Sequence, residues 1–92
     1  MIRSWANSAT RRLYEAGKNK FSSLDVESAL ELLAVLDAAT SLADISPLRS
    51  VGLHKLRGDR KGQWAMNVNG PWRICFRFAD GDAYDVEIVD YH

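Results

Sequence analysis

The hydrophobic period of this chain changes once, near Pro47, and that change restricts the available folds more than any other feature. Before it, Val26, Ala29, Leu30, Leu33 and Leu36 recur at three- and four-residue spacing, which places one apolar stripe on one side of a helix. After it, apolar residues alternate with polar ones. Trp64, Met66 and Val68 form one run, Trp72, Ile74, Phe76 and Phe78 a second, and Tyr84, Val86 and Ile88 a third. Asn69-Gly70-Pro71 and Asp80-Gly81 fall between the runs, where tight turns close antiparallel hairpins.

A helix is expected from Ser8 to Ala16, capped by Asn7 or Ser8, with Leu13 and Ala16 inward and Gly17 as its stop. The second helix takes Ser22 or Ser23 as cap and ends near Thr40. Ile2 to Trp5 reads as a short strand, and Ser46-Pro47 as irregular chain, because proline disfavours helix in the residue before it. The expected fold is α+β, two N-terminal helices packed on one face of a small antiparallel sheet. With 92 residues and no repeat or linker, the chain reads as a single domain over residues 1–92.

Composition narrows the class. Hydrophobic residues at 47% and charged residues at 26% fit a soluble globular chain and exclude disordered or collagen-like ones. The single cysteine, Cys75, permits no internal disulfide and fits a reducing cytoplasm. No signal-type segment opens the chain, and the longest strictly apolar run, Leu32 to Leu36, is too short to span a bilayer, so no membrane association is expected.

Twelve basic and twelve acidic side chains cancel formally, but they are segregated. Residues 49–77 hold Arg49, Lys55, Arg57, Arg60, Lys61, Arg73 and Arg77 against Asp59 alone, whereas residues 78–92 hold five carboxylates and no Lys or Arg. Strand alternation sends Arg73 and Arg77 off the sheet on the side opposite Trp72, Ile74, Phe76 and Phe78. A neutral chain can thus carry a basic face suited to an anion.

His54 and His92 are the only side chains whose ordinary pKa, about 6.5, lets them exchange protons near neutrality. There is no glycine-rich phosphate loop, CxxC or HExxH, so neither metal nor cofactor is expected. Two histidines, a carboxylate and several arginines suit metal-free phosphoryl transfer, in which one group takes a proton, another returns one, and cations hold the phosphate. RNA is the natural substrate for such a set, because its 2′-hydroxyl is an internal nucleophile. Trp64, Trp72 and Trp5 read as packing residues and Cys75 as a small strand residue.

The stretch Leu53-His54-Lys55-Leu56-Arg57-Gly58-Asp59-Arg60, with Gly62 and Trp64, Trp72-Arg73-Ile74 and Phe76, Gly81-Asp82-Ala83-Tyr84 and the final Asp90-Tyr91-His92, resembles the HigB toxins of the RelE/ParE superfamily. The resemblance spans the whole chain and implies a RelE-like fold. It implies a cytoplasmic bacterial toxin that cleaves messenger RNA in the ribosomal A site and is silenced by a HigA-like helix-turn-helix antitoxin. It further implies a catalytic set of His54, Arg73, Asp90, Tyr91 and His92. His92 would take the 2′-hydroxyl proton and His54 protonate the leaving oxygen, or the two would exchange roles. Asp90 would orient a histidine or the hydroxyl, Tyr91 would stack on a base or donate to the phosphate, and Arg73 would meet the growing phosphate charge. Arg57 stands where family members often carry lysine, so its charge is kept while its hydrogen-bond geometry differs. Lys55, Arg60, Lys61 and Arg77 read as a sequence-blind clamp on the RNA backbone, which Arg11 and Arg12 would extend. Two other classes share the scaffold: a ParE-like inhibitor that binds DNA gyrase, and an inactive ligand of the antitoxin.

Overall fold

The computed structural model describes residues 1–45 and 52–90. Two helices, α1 (Ser8–Ala16) and α2 (Val26–Ala38), precede four strands: β1 (His54–Lys55), β2 (Trp64–Asn67), β3 (Trp72–Ala79) and β4 (Asp82–Asp90). The strands form one antiparallel sheet in chain order. Ser46-Pro47 lies outside the described residues. No helix among the described residues is long and apolar enough to cross a membrane.

Both helices begin where a side chain satisfies otherwise orphaned backbone N–H groups. The Thr10 amide donates to Asn7 Oδ1 at 2.9 Å. Gly17 closes α1 in the left-handed region at φ 69°, donating to the Leu13 carbonyl, while the Lys18 amide donates to that of Arg12. The cap of α2 differs from the expected Ser22 or Ser23. It is Asp25, whose carboxylate accepts from the Ser28 amide at 3.1 Å. The serines are held in a preceding turn by tertiary contacts: Trp72 Nε1 donates to the Ser22 carbonyl at 3.0 Å and Asn69 Nδ2 to that of Ser23 at 2.9 Å.

Bonds from the Ser28 backbone lower the Asp25 carboxyl below its ordinary range, and the Thr40 and Ser41 amides do the same for Asp44. A carboxyl lowered by folding stabilises the fold above its unfolded pKa, and that stabilisation vanishes as pH falls through the folded value. The thermal midpoint is therefore expected to hold near neutrality and to drop below about pH 4, and Asp25→Asn should flatten that drop in an acid titration.

One face of the sheet is buried under the helices. Leu13, Leu33, Leu36 and Ile45 meet Met66, Ile74, Phe76, Val86 and Ile88 in a single core. The expected alternation holds through β2 and β3, since Trp64 pairs with Phe76 and Met66 with Ile74. It breaks in β4. Asp85 takes φ 53°, the register shifts between Cys75 and Arg77, and Tyr84 pairs with Arg77. This bulge moves Tyr84 to the face opposite Val86 and Ile88, so it does not share their run. Asp80 and Gly81, at φ 51° and 82°, make the β3–β4 turn that its sequence suggests.

The N-terminal segment covers the outer edge of β4 through parallel bridges at Ile2–Ala83 and Trp5–Val86. Thr10 continues that edge. Its hydroxyl donates to the half-buried Asn7 Oδ1 at 2.7 Å and accepts the buried Ile88 amide at 2.9 Å. Thr10→Val keeps the shape but orphans a buried N–H, so a loss of about 1–3 kcal/mol is expected in urea unfolding.

Candidate active site

His54 opens β1 because that strand adds to β2, with His54 opposite Ala65. Ala65 pairs with Cys75, and Cys75 with Glu87, so these four residues form one row on the face away from the helices. The adjacent row holds Asn67, Arg73 and Val89. His54 and Arg73 therefore share the outer face, two strands and one row apart, roughly 12 Å between backbones by ordinary strand spacing. Side chains of that length can meet one phosphate between them.

His54 is exposed, and its Nδ1 lies 2.8 Å from the Gly52 carbonyl. A carbonyl can only accept, so Nδ1 carries the hydrogen in this bond. Gly52 supplies this bond from φ 56°, and a Cβ there would lie 2.6 Å from Asn67 Nδ2. Sequence reading passed over Gly52, although a glycine two residues before a candidate histidine is a signal for such a turn. Gly52→Ala is expected to misdirect the imidazole and reduce cleavage about tenfold or more, while the urea midpoint, set by the core, changes far less.

Arg73 Nη1 donates to the carbonyls of Gly70 and Trp72 at 2.8 and 2.9 Å. These bonds aim the guanidinium along the β2–β3 turn, and Arg73 makes no ion pair among the described residues. The other two outer-face arginines have carboxylate partners. Arg60 Nη1 lies 2.8 Å from Glu87 and 3.1 Å from Gln63 Oε1, and Arg77 Nε lies 3.5 Å from Asp85. Arg60 thereby straps the Gly58–Gln63 turn over the sheet, where Cys75 is fully buried. Burial raises the Cys75 thiol above its ordinary value despite Arg60 and Arg73 nearby, so it stays protonated and is no nucleophile.

Lys55, Arg57 and Lys61 converge with Leu56 and Gly58 on an open cavity of about 600 Å³. Lys55 belongs to the Trp64 side of the sheet, its Nζ 6.0 Å from that ring. Lys55, at the cavity, therefore leaves the sheet on the face opposite His54. Asp90 is exposed and pairs with Trp72, so the pleat directs it to the side opposite Arg73 at the same end of the sheet. Tyr91 and His92 lie outside the described residues. Among the described residues, His54 and Arg73 thus share the outer face of the sheet, whereas Lys55, at the cavity, and Asp90 are directed to the other face. No group of three or more His, Cys, Asp or Glu residues among those described could hold a metal ion.

Comparison with known proteins agrees with this architecture. The Endoribonuclease HigB of Proteus vulgaris is 36% identical over 93 residues, covering 100% of both chains. A crystal structure of a YafQ mutant from E. coli superposes with a TM-score of 0.59 at 13% identity, covering 98% of this chain and 93% of that one. At that identity the likeness concerns the fold alone. The family described as RelE-like toxin of the type II toxin-antitoxin system HigB matches residues 3–92. The chain belongs to the HigB-like toxins of type II toxin-antitoxin systems.

Proposed function

We propose that this toxin is an endoribonuclease that cleaves messenger RNA by attack of the substrate's own 2′-hydroxyl on the adjacent phosphorus. The observation that carries the reading is the shared face of His54 and Arg73 on a rigid sheet. The full-length relationship to an endoribonuclease supports it.

In this mechanism His92 removes the 2′-hydroxyl proton as the oxygen attacks, and the P–O5′ bond breaks on the opposite side. His54 Nε2 delivers a proton to the departing oxygen. The products are a 2′,3′-cyclic phosphate and a 5′-hydroxyl, so protons and charge balance without a cofactor. Arg73, with a fork of N–H donors, meets the charge that develops on the phosphoryl oxygens. Asp90 orients the hydroxyl or an imidazole, and Tyr91 supports the adjacent base or phosphate. Lys55, Arg57 and Lys61 hold the flanking backbone, while Arg60 and Arg77 shape the face through their carboxylate partners.

The biological substrate in this reading is messenger RNA in the ribosomal A site, and the silencing partner is a HigA-like antitoxin. Primer extension on messenger RNA after induction tests it. Discrete cuts within translated codons are expected. Intact messenger with DNA damage would instead mark a gyrase inhibitor, and intact messenger with no growth arrest an inactive ligand of the antitoxin.

A further inference from the structure

We propose that Arg12, Lys18 and Lys20 form a second binding site for RNA phosphates, off the end of the sheet that carries Arg73 and Asp90. The three cations surround a cavity of about 210 Å³ whose fourth lining residue is Ala9. It shares no residue with the larger cavity at Lys55, Arg57 and Lys61.

Local structure creates the cluster. The left-handed turn at Gly17 folds the chain back, and the Lys18 amide donates to the Arg12 carbonyl at 3.2 Å. Lys18 thus returns beside the last turn of α1. The Phe21 amide donates to Asn19 Oδ1 at 2.8 Å, which fixes the bend that carries Lys20. Like charges brought together repel one another unless an anion joins them. No ion pair among the described residues involves Arg12, Lys18 or Lys20, and Glu15 on the same helix is directed to Arg11 at 3.7 Å.

Placement then selects the ligand. Lys20 precedes Phe21, whose ring packs edge-on against Trp72 at 5.4 Å, and Trp72 pairs with Asp90 and adjoins Arg73. A polyanion that rounds this end of the sheet meets the cluster on the side of Trp72 and Arg73 on the opposite face. A phosphodiester backbone repeats its charge along such a path, whereas a small anion would occupy one cavity only. The site holds backbone without reading bases, since it offers point charges and no aromatic platform. The shared chemistry is RNA phosphate, from the messenger itself or from folded RNA of the translation machinery.

The test uses the full chain, with and without Arg12→Gln, Lys18→Gln and Lys20→Gln combined, and RNA probes methylated at every 2′-hydroxyl so that no turnover is possible. Affinity for a short single-stranded RNA and for an RNA hairpin is measured by fluorescence anisotropy across salt. Three phosphate contacts at about 0.7 each change the slope of log K against log salt by about 2 for a single strand. The parent is thus expected to lose about 20-fold more affinity than the triple variant over a fourfold rise in salt. Restoring Lys18 and Lys20 as arginines should recover the slope. A stronger effect on the single strand assigns the site to the messenger, and a stronger effect on the hairpin to folded RNA. Equal slopes and affinities with and without the three substitutions overturn the proposal, as does unchanged RNA binding with lost antitoxin binding. Because binding is read without turnover, the result stands apart from whether His54 is catalytic.

Discussion

His54→Ala and Arg73→Ala are each expected to slow RNA cleavage by about 10²- to 10⁴-fold, while both variants unfold near the urea midpoint of the parent. The separation follows from exposure and bonding. His54 is exposed, and its imidazole contributes a bond to the Gly52 carbonyl that water can replace. Arg73 Nη1 bonds two carbonyls, of which that of Trp72 also accepts from the Val68 amide and that of Gly70 lies at an exposed turn. Arg73→Lys retains the charge without the planar fork, so partial activity is expected where Arg73→Ala has almost none. The double variant should fall well short of the product of the two losses, because groups acting on one transition state are not additive. Full-strength cleavage by either folded alanine variant would remove that residue from the mechanism.

Phe76→Ala is expected to have the largest effect on stability. Phe76 is fully buried among the core residues, pairs with Trp64 across β2–β3, and stacks edge-on with Phe78 at 6.4 Å. Truncation of a buried phenylalanine costs about 3–5 kcal/mol, against a total of about 5–15 kcal/mol for a domain. At 92 residues the total lies toward the lower end, so a large unfolded fraction is expected at physiological temperature. Urea unfolding should show a lower midpoint with an unchanged slope, and Phe76→Leu a much smaller fall. Loss of activity in Phe76→Ala would then accompany loss of folded protein, whereas in His54→Ala it would not.

Much of the fold was legible before any coordinates. The stripe through Ala29, Leu33 and Leu36, the cap at Asn7, the stop at Gly17 and the turns at Asn69-Gly70 and Asp80-Gly81 are local signals, and each operates as its residue type suggests. The period of two also placed Arg73 and Arg77 opposite the core, because it follows from backbone geometry alone.

What local pattern missed was decided by contacts between distant segments. Serine is as good a cap as aspartate, so Asp25 starts α2 only because Trp72 and Asn69 claim the carbonyls of Ser22 and Ser23. Tyr84 continues the spacing of Val86 and Ile88 in sequence, yet the bulge at Asp85 rotates it beside Arg77. Arg60 and Arg73 carry the same charge in the same basic stretch, but Glu87 lies within reach of Arg60 and not of Arg73. The sequence by itself determined the periods, the caps by residue type and the inventory of acids, bases and cations. Only the tertiary structure decided which cations are paired with carboxylates and which make no ion pair among the described residues, because that depends on distances between strands that no local spacing encodes.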